Sequence, residues 1–332
     1  MMQLGDLHKL EDDTFDFSGF DGFDNRFGFQ DDTTMALLKH LVEQGKLPDF
    51  TVAYLPDNDW NSHSDGPHRA MYSLEHVDEL LGELFSIEGG LESFLSKYTI
   101  FIVGDHSQSY LVADEDRRGI NLNDILQDFN LGKAGATWAD KDDIIACPNL
   151  RATLFYFNRV TPTRFERLSQ CLLADNRVDQ VIWCADLMDE NSLGYCVRSV
   201  HGGLLHFWDE SETPMAYDRY GNGWSWDGAL QAVDGVVSDN GLVTFDRYPN
   251  AFECIKNILD LERSGDVWAT AKPGYTFHLD EMDYEVGGSH GALHMLDSTT
   301  SLIVAGHEDD LSIPDVPRIV DVAPLILRQF NM

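Results

Sequence analysis

Lysine is scarce in this chain: 8 Lys stand against 40 Asp and 17 Glu in 332 residues. With only 23 basic residues in all, the formal charge is −34 at neutral pH. Such a surface repels phosphate backbones and anionic lipid, which excludes nonspecific nucleic-acid binding and electrostatic membrane attachment. An anionic substrate would need a bound cation to reverse the local field. The same Asp-rich, Lys-poor balance is what solubility at high salt favours. Long apolar runs are also missing. None reaches the roughly 18 residues of a membrane-spanning helix, and the opening MMQLGDLHKLEDD has neither the basic head nor the apolar centre of a signal peptide. Cysteine is sparse and scattered (Cys147, Cys171, Cys184, Cys196, Cys254). With no C-x-x-C pair, a zinc ribbon and a dithiol redox motif are both excluded. Reduced thiols are the expectation, and with them a cytoplasmic setting. Neither an internal repeat nor a low-complexity linker is present.

What is present suffices for a large core, since 43% of the residues are hydrophobic. The length fits one large α/β domain carrying an inserted module, or two domains. Residues 11–32 mix Asp, Gly and Phe without periodicity, and their phenylalanines are expected to pack rather than stay in water. Asp32-Thr33-Thr34 reads as the cap of a helix over MALLKHLVEQGK. DFTVAYL (49–55) reads as a buried strand, residues 69–86 as an amphipathic helix, and YTIFIVGD (98–105) as a second strand. Beyond residue 150, ATLFYF, TRFERLSQCLLAD and VDQVIWCAD suggest a small βαβ-like unit. YCVRSVHGGLLHFWD suggests a hairpin turning near His201-Gly202-Gly203. The aromatic, Gly-rich run YDRYGNGWSWDG (217–228) is expected either to wall a binding site with Tyr217, Trp224 and Trp226 or to pack in the core. A helix over AFECIKNILDLERS and strands over VWATAKPGYTF and SLIVAG (301–306) follow. Strands alternating with helices favour an α/β fold.

Three short segments carry chemistry. Asp59 and His63 follow the first strand, spaced so that both reach one ion if the chain begins a helix there. Asp57 competes with Asp59 for the carboxylate role, while Asp65 and His68 read as cap or surface residues. Asp105-His106 ends the IFIVGD strand, where α/β enzymes place their chemistry, and adjacent oxygen and imidazole ligands suit a zinc-like ion. His290 sits in GGSHGALHMLDS, whose glycines permit tight backbone geometry; His294 is its neighbour and competitor. His8, His40, His76, His201, His206, His278 and His307 form no comparable pattern.

Together YLPDNDWNSHSDGP, FIVGDHSQS and GGSHGALHMLDSTTSLIVAG resemble the alkaline phosphatase superfamily. The closest likeness is to its type I phosphodiesterase/nucleotide pyrophosphatase branch, and the three segments stand in that family's order. The resemblance spans roughly residues 33–110 and 240–332. It implies an alkaline phosphatase-like core sheet flanked by helices, with an inserted α+β cap module. The corresponding division is a partial core over 1–149, the cap over 150–240 and the rest of the core over 241–332. It also implies two divalent metal ions, with zinc the expected identity. Asp59, His63 and His290 would hold one; Asp105 and His106 would help to hold the other. Ser107 follows the Asp-His pair where the family more often has Gly.

The function so implied is hydrolysis of small phosphate esters, of phosphodiesterase, nucleotide pyrophosphatase or phosphatase type, with a nucleotide among the candidate substrates. The family's Thr or Ser nucleophile at a helix N-terminus has no counterpart in the sequence. Asp21-Gly22 lacks an apolar strand before it, and Thr33 and Thr34 precede the wrong strand and read as capping residues. The expectation is therefore a truncated or split chain, prone to self-association or completed by an upstream fragment. The alternative is a catalytically silent, metal-binding remnant or partner subunit. Neither a sulfatase signature nor the basic cluster of a phosphoglycerate mutase is found.

Overall fold

A computed structural model of the chain describes residues 30–306 and 311–330. Most of the phenylalanine-rich segment, Asp21-Gly22, His8 and His307 lie outside the described residues. In chain order come α1 (Asp31–Glu43), α2 (Asp57–Asp65), α3 (Met71–Ile87), α4 (Leu91–Leu95) and β1 (Ile100–Val103). Next are β2 (Ser109–Tyr110), α5 (Glu115–Arg118), β3 (Gly119–Asn121), α6 (Leu122–Ile125), β4 (Ile144–Asn149), β5 (Ala152–Phe157), α7 (Pro162–Ala174) and β6 (Val178–Cys184). The chain continues through β7 (Tyr195–Ser199), β8 (Gly203–Asp209), β9 (Ala216–Tyr217), β10 (Gly223–Gly228), β11 (Gly235–Val237), β12 (Val243–Phe245) and α8 (Ala251–Leu259). It ends with β13 (Val267–Ala271), β14 (Thr276–His278), β15 (Gly288–Ser289), α9 (Met295–Ser298), β16 (Leu302–Ala305) and α10 (Ile319–Gln329). Two compact units result, Met1–Asp105 with Thr300–Met332, and His106–Thr299. Both boundaries expected from sequence, at 149/150 and 240/241, fall inside the second unit.

In the first unit, Met35 and Val42 of α1 meet Leu80 and Leu84 of α3 and Phe94 of α4 in one apolar cluster. These spacings of seven and four residues put each pair on one helix face, which is why the periodicity was readable. The cap of α1 is Gln30 rather than Asp32-Thr33-Thr34. Asp31 and Asp32 occupy its first turn instead, where the partial positive charge of the helix end favours carboxylates. β1 pairs antiparallel with β16, from Ile100 opposite Ala305 to Val103 opposite Leu302. The strand expected over 49–55 does not form. No ladder among the described residues includes that segment, so it gains no strand hydrogen bonds, and Phe50, Val52 and Tyr54 stay exposed.

The second unit is built on an eight-stranded sheet of order β4-β5-β13-β6-β7-β8-β10-β9, with every neighbouring pair antiparallel. The molecule is thus mixed α/β with a large central sheet and helices. Side-chain alternation divides the core into two layers. Val181, Val267, Ala269 and Ala271 face Phe165, Leu168 and Leu172 of α7, while Ile182 and Trp268 face Phe252, Ile255 and Leu259 of α8. Each fully buried large apolar side chain contributes about 1.5–3 kcal/mol. β13 is buried along its whole length because both neighbours and both helical layers cover it.

Local chemistry sets the edges of these elements. Thr161 caps α7 by accepting from the Arg164 N–H at 3.2 Å, and Pro162 supplies a first helical residue that needs no N–H partner. The β5–α7–β6 crossover matches the expected βαβ-like segment, but β13 inserts between its two strands. β7 and β8 form the expected hairpin, with Ser199 opposite Gly203.

Trp224 packs in the core. It is 1% exposed, lies 5.3 Å from Phe252 by ring centroid, and donates its indole N–H to Asp218. Trp226 is partly buried in the same cluster, and only Tyr217 of the three rings is exposed. No helix among the described residues is long and apolar enough to cross a membrane.

Candidate functional site

Asp59 and His63 both lie on α2, whose sequence DNDWNSHSD has no apolar stripe. A helix polar on all sides cannot be held by core packing, and α2 is held by its own polar side chains instead. Asn58 donates to the Ala70 carbonyl at 3.0 Å, and Asn61 to Ser73 Oγ at 2.8 Å. At its start, the Asp57 N–H donates to Asp31 Oδ1 at 3.1 Å while the Asp31 N–H donates to Asp57 Oδ2 at 3.3 Å. This reciprocal pair engages the carboxylate of Asp57, the competitor noted from sequence. One helical turn places Asp59 and His63 on one face, with Oδ1 and Nε2 3.5 Å apart. Burial pushes the Asp31 carboxyl up to about 6, against the pull of the Asp57 N–H.

Asp105 follows β1 in an exposed bend. Gly104 just before it donates its N–H to the Ser301 carbonyl at 3.1 Å, and a Cβ there would collide with Thr300 Oγ1. A residue without Cβ is therefore what lets the strand end pass Thr300. Asp65 accepts from the Tyr72 hydroxyl at 3.3 Å, and Thr34 donates its hydroxyl to the Tyr54 carbonyl at 2.9 Å.

In the second unit, the short ladder of β2 and β15 sets Ser109 opposite Ser289. That pairing aligns the segment after His106 with the segment before His290. The two imidazoles stack, with ring centroids 3.6 Å apart and planes 17° from parallel, and both are half-buried. Gly291 follows at φ +103°, a backbone conformation that L side chains rarely adopt. His294 caps α9, its Nδ1 accepting from the Leu296 N–H at 3.2 Å, and its ring meets Tyr248 edge-on at 5.7 Å. Burial lowers the basicity of His294, in keeping with a structural role.

Joined to the His290 carbonyl through the Arg151 N–H, at 2.9 Å, is an ion pair that no sequence motif marks. Arg151 and Asp297 have side-chain exposures of 0% and 1%. Arg151 Nη1 donates to Asp297 Oδ1 and, at 2.9 Å, to Ser109 Oγ; Nη2 donates to the Ala271 carbonyl at 2.9 Å. Asp297 lies within the GGSHGALHMLDS segment, but no spacing rule marks an Asp there, and nothing local marks Arg151.

Thus the structure groups Asp59 with His63 in one unit and His106 with His290 in the other, and places Asp105 at the end of β1. These donors are carboxylate oxygens and imidazole nitrogens, a set that fits a zinc-like divalent ion. Among the described residues the five cysteines form no disulfide, and all five are half-buried.

A profile of the type I phosphodiesterase/nucleotide pyrophosphatase family matches residues 9–183. No curated protein matches the sequence. Among solved structures, human ectonucleotide pyrophosphatase/phosphodiesterase 5 is similar at 12% identity and TM-score 0.48, over 92% of this chain and 60% of that one. The murine ectonucleotide pyrophosphatase/phosphodiesterase 5 is similar at 12% identity and TM-score 0.41, over 78% of this chain and 48% of that one. The chain therefore spans about half to three-fifths of the length of these structures.

Proposed function

The chain belongs to the type I phosphodiesterase/nucleotide pyrophosphatase family, and from that premise we propose that it is a metal-dependent hydrolase of small phosphate esters. Its proposed substrates are phosphodiesters, nucleotides among them. Asp59, His63, Asp105, His106 and His290 are the proposed ligands of two divalent ions, with zinc the expected identity. The observation that carries this reading is the His106–His290 stack, which holds two imidazoles in fixed register at the β2–β15 ladder. Stacking of two half-buried imidazoles beside a backbone ladder limits their rotation, as a preorganised ligand pair requires.

When bound, the ions supply the positive charge that a phosphate ester and its leaving oxygen require. The chain's own residues prepare for this. α2 presents Asp59 and His63 from one turn, so one oxygen and one nitrogen donor move together. Gly104 allows β1 to end at Asp105, and the β2–β15 ladder aligns His106 with His290. The surface, at −34, disfavours an anionic ester everywhere that no cation is held.

The test is to purify the chain, quantify bound metal, and assay bis-p-nitrophenyl phosphate and p-nitrophenyl phosphate hydrolysis. Metal-dependent turnover that Asp59→Ala and His106→Ala each abolish is the expected result. Metal bound without turnover would replace the hydrolase with a silent metal-binding protein. Failure to bind zinc, manganese or magnesium would overturn the reading altogether.

A further inference from the structure

We propose that the buried Arg151–Asp297 ion pair is a positioning device that sets the two histidine-bearing segments of the second unit, and through them the ligand geometry of His106 and His290. Its importance for metal binding rests on the functional reading above; its effect on the imidazoles does not. The pair reaches both segments. On one side, the Ser107 N–H donates to the main-chain carbonyl of Asp297 at 2.7 Å, and Ser109 Oγ accepts from Arg151 Nη1 at 2.9 Å and donates to Asp297 Oδ1 at 3.3 Å. On the other side, the Arg151 N–H donates to the His290 carbonyl at 2.9 Å, and the Ala292 N–H donates to Asp297 Oδ2 at 3.0 Å. Both histidines are thus flanked by backbone groups that end on the same two residues. The bond from Nη2 to the Ala271 carbonyl ties the assembly to β13, the most buried strand of the sheet.

Stability alone does not account for this pair. Taking a guanidinium and a carboxylate fully out of water is costly, and an apolar pair of similar volume is often as stable or more so. Arg151 Nε adds to the cost, because it is buried with no hydrogen-bond partner among the described residues. What the ion pair provides and an apolar pair does not is directional bonding. The carboxylate holds the Ala292 N–H, and the guanidinium fork holds the Ala271 carbonyl and Ser109 Oγ, so the angles of groups on three segments are fixed at once. Partners that hydrogen-bond the rings of metal-ligating histidines set the scale of such support: their loss typically weakens metal binding by about 10–100-fold.

The experiment compares the full chain with Arg151→Met/Asp297→Leu, which keeps core volume and the main-chain bonds of both residues but removes the side-chain bonds to Ser109, Ala271 and Ala292. Val267→Ala, in the sheet core, serves as a control for general destabilisation. Two quantities are read: the imidazole ring signals of His106 and His290 in the metal-free protein by NMR, and zinc affinity by competition with a chromophoric chelator. Expected are displaced ring signals in the double variant, unmoved ones in Val267→Ala, and zinc affinity reduced about 10–100-fold. Displaced rings in a chain whose wild type binds no zinc would uphold the positioning and sink the metal reading. Unmoved rings in the folded double variant would overturn the positioning. If that variant does not fold, Arg151→Lys takes its place. A lysine keeps the charge but cannot bridge Ser109, Asp297 and Ala271 together, so folded protein with unmoved rings overturns the proposal.

Discussion

The ring centroids of His106 and His290 lie 3.6 Å apart with planes 17° from parallel, although one residue falls in the first third of the chain and the other near its end. A two-residue ladder, Gly288 opposite Tyr110 and Ser289 opposite Ser109, sets that contact. So little ladder contributes little stability by itself. The register has to be held from outside it, and the buried pair of Arg151 and Asp297 lies where such support is needed.

Gly104→Ala should destabilise the first unit by about 1–3 kcal/mol, the usual cost of forcing extra volume into a filled position. The new methyl would strike Thr300 Oγ1 beside the β1–β16 ladder. Denaturant unfolding of the single variant and of Gly104→Ala/Thr300→Ala checks this. Recovery in the double variant is expected, and a single variant as stable as wild type would refute the steric account.

Asp31→Asn should stabilise the protein at neutral pH and not at acid pH. Burial raises the Asp31 carboxyl from 3.8 to about 6. Its folded state therefore favours the protonated form, so the contribution is fully present below about pH 4 and is lost as pH rises through 6. An asparagine does not titrate and keeps an acceptor for the Asp57 N–H. The expected gain, reduced by solvent screening, is about 1–2 kcal/mol at pH 7.5, shrinking to nothing near pH 4. Urea unfolding at both pH values measures it, and a variant less stable than wild type at pH 7.5 would contradict the assignment.

Cys184 and Cys196 should resist alkylation in the native protein. Burial pushes their thiols up to about 11 and about 12, so little thiolate exists at pH 8. Mass spectrometry after iodoacetamide treatment should find both unmodified in the folded chain and modified after urea unfolding. Equal labelling in the two states would rule out protection by the fold.

Added salt should raise the melting temperature. At −34 the chain repels itself, and about 1 M salt shortens the screening length to about 3 Å. Thermal scans in rising potassium chloride check this. A flat response would remove the high-salt interpretation of the Asp-rich surface.

Local rules made much of the chain legible. Apolar spacing marked α1, α3, α7 and α8, turn chemistry marked the β7–β8 hairpin, and three ordered motifs marked both the family and the residues proposed to bind metal. Each of these signals lies within a few neighbouring residues, where helical and strand periodicity and end chemistry act. By itself, the sequence determined an acidic surface, a mixed α/β chain and its family. The tertiary structure decided what depends on distant partners. Residues 49–55 have strand character, yet no ladder among the described residues takes them up. Trp224 read equally as wall or core until Phe207, Phe252 and Asp218 surrounded it. Arg151 carries no local mark, because its role comes only from meeting Asp297 146 positions away in a site closed to water. Pairing over such a separation is set by sheet register and core closure, which no short window of sequence contains.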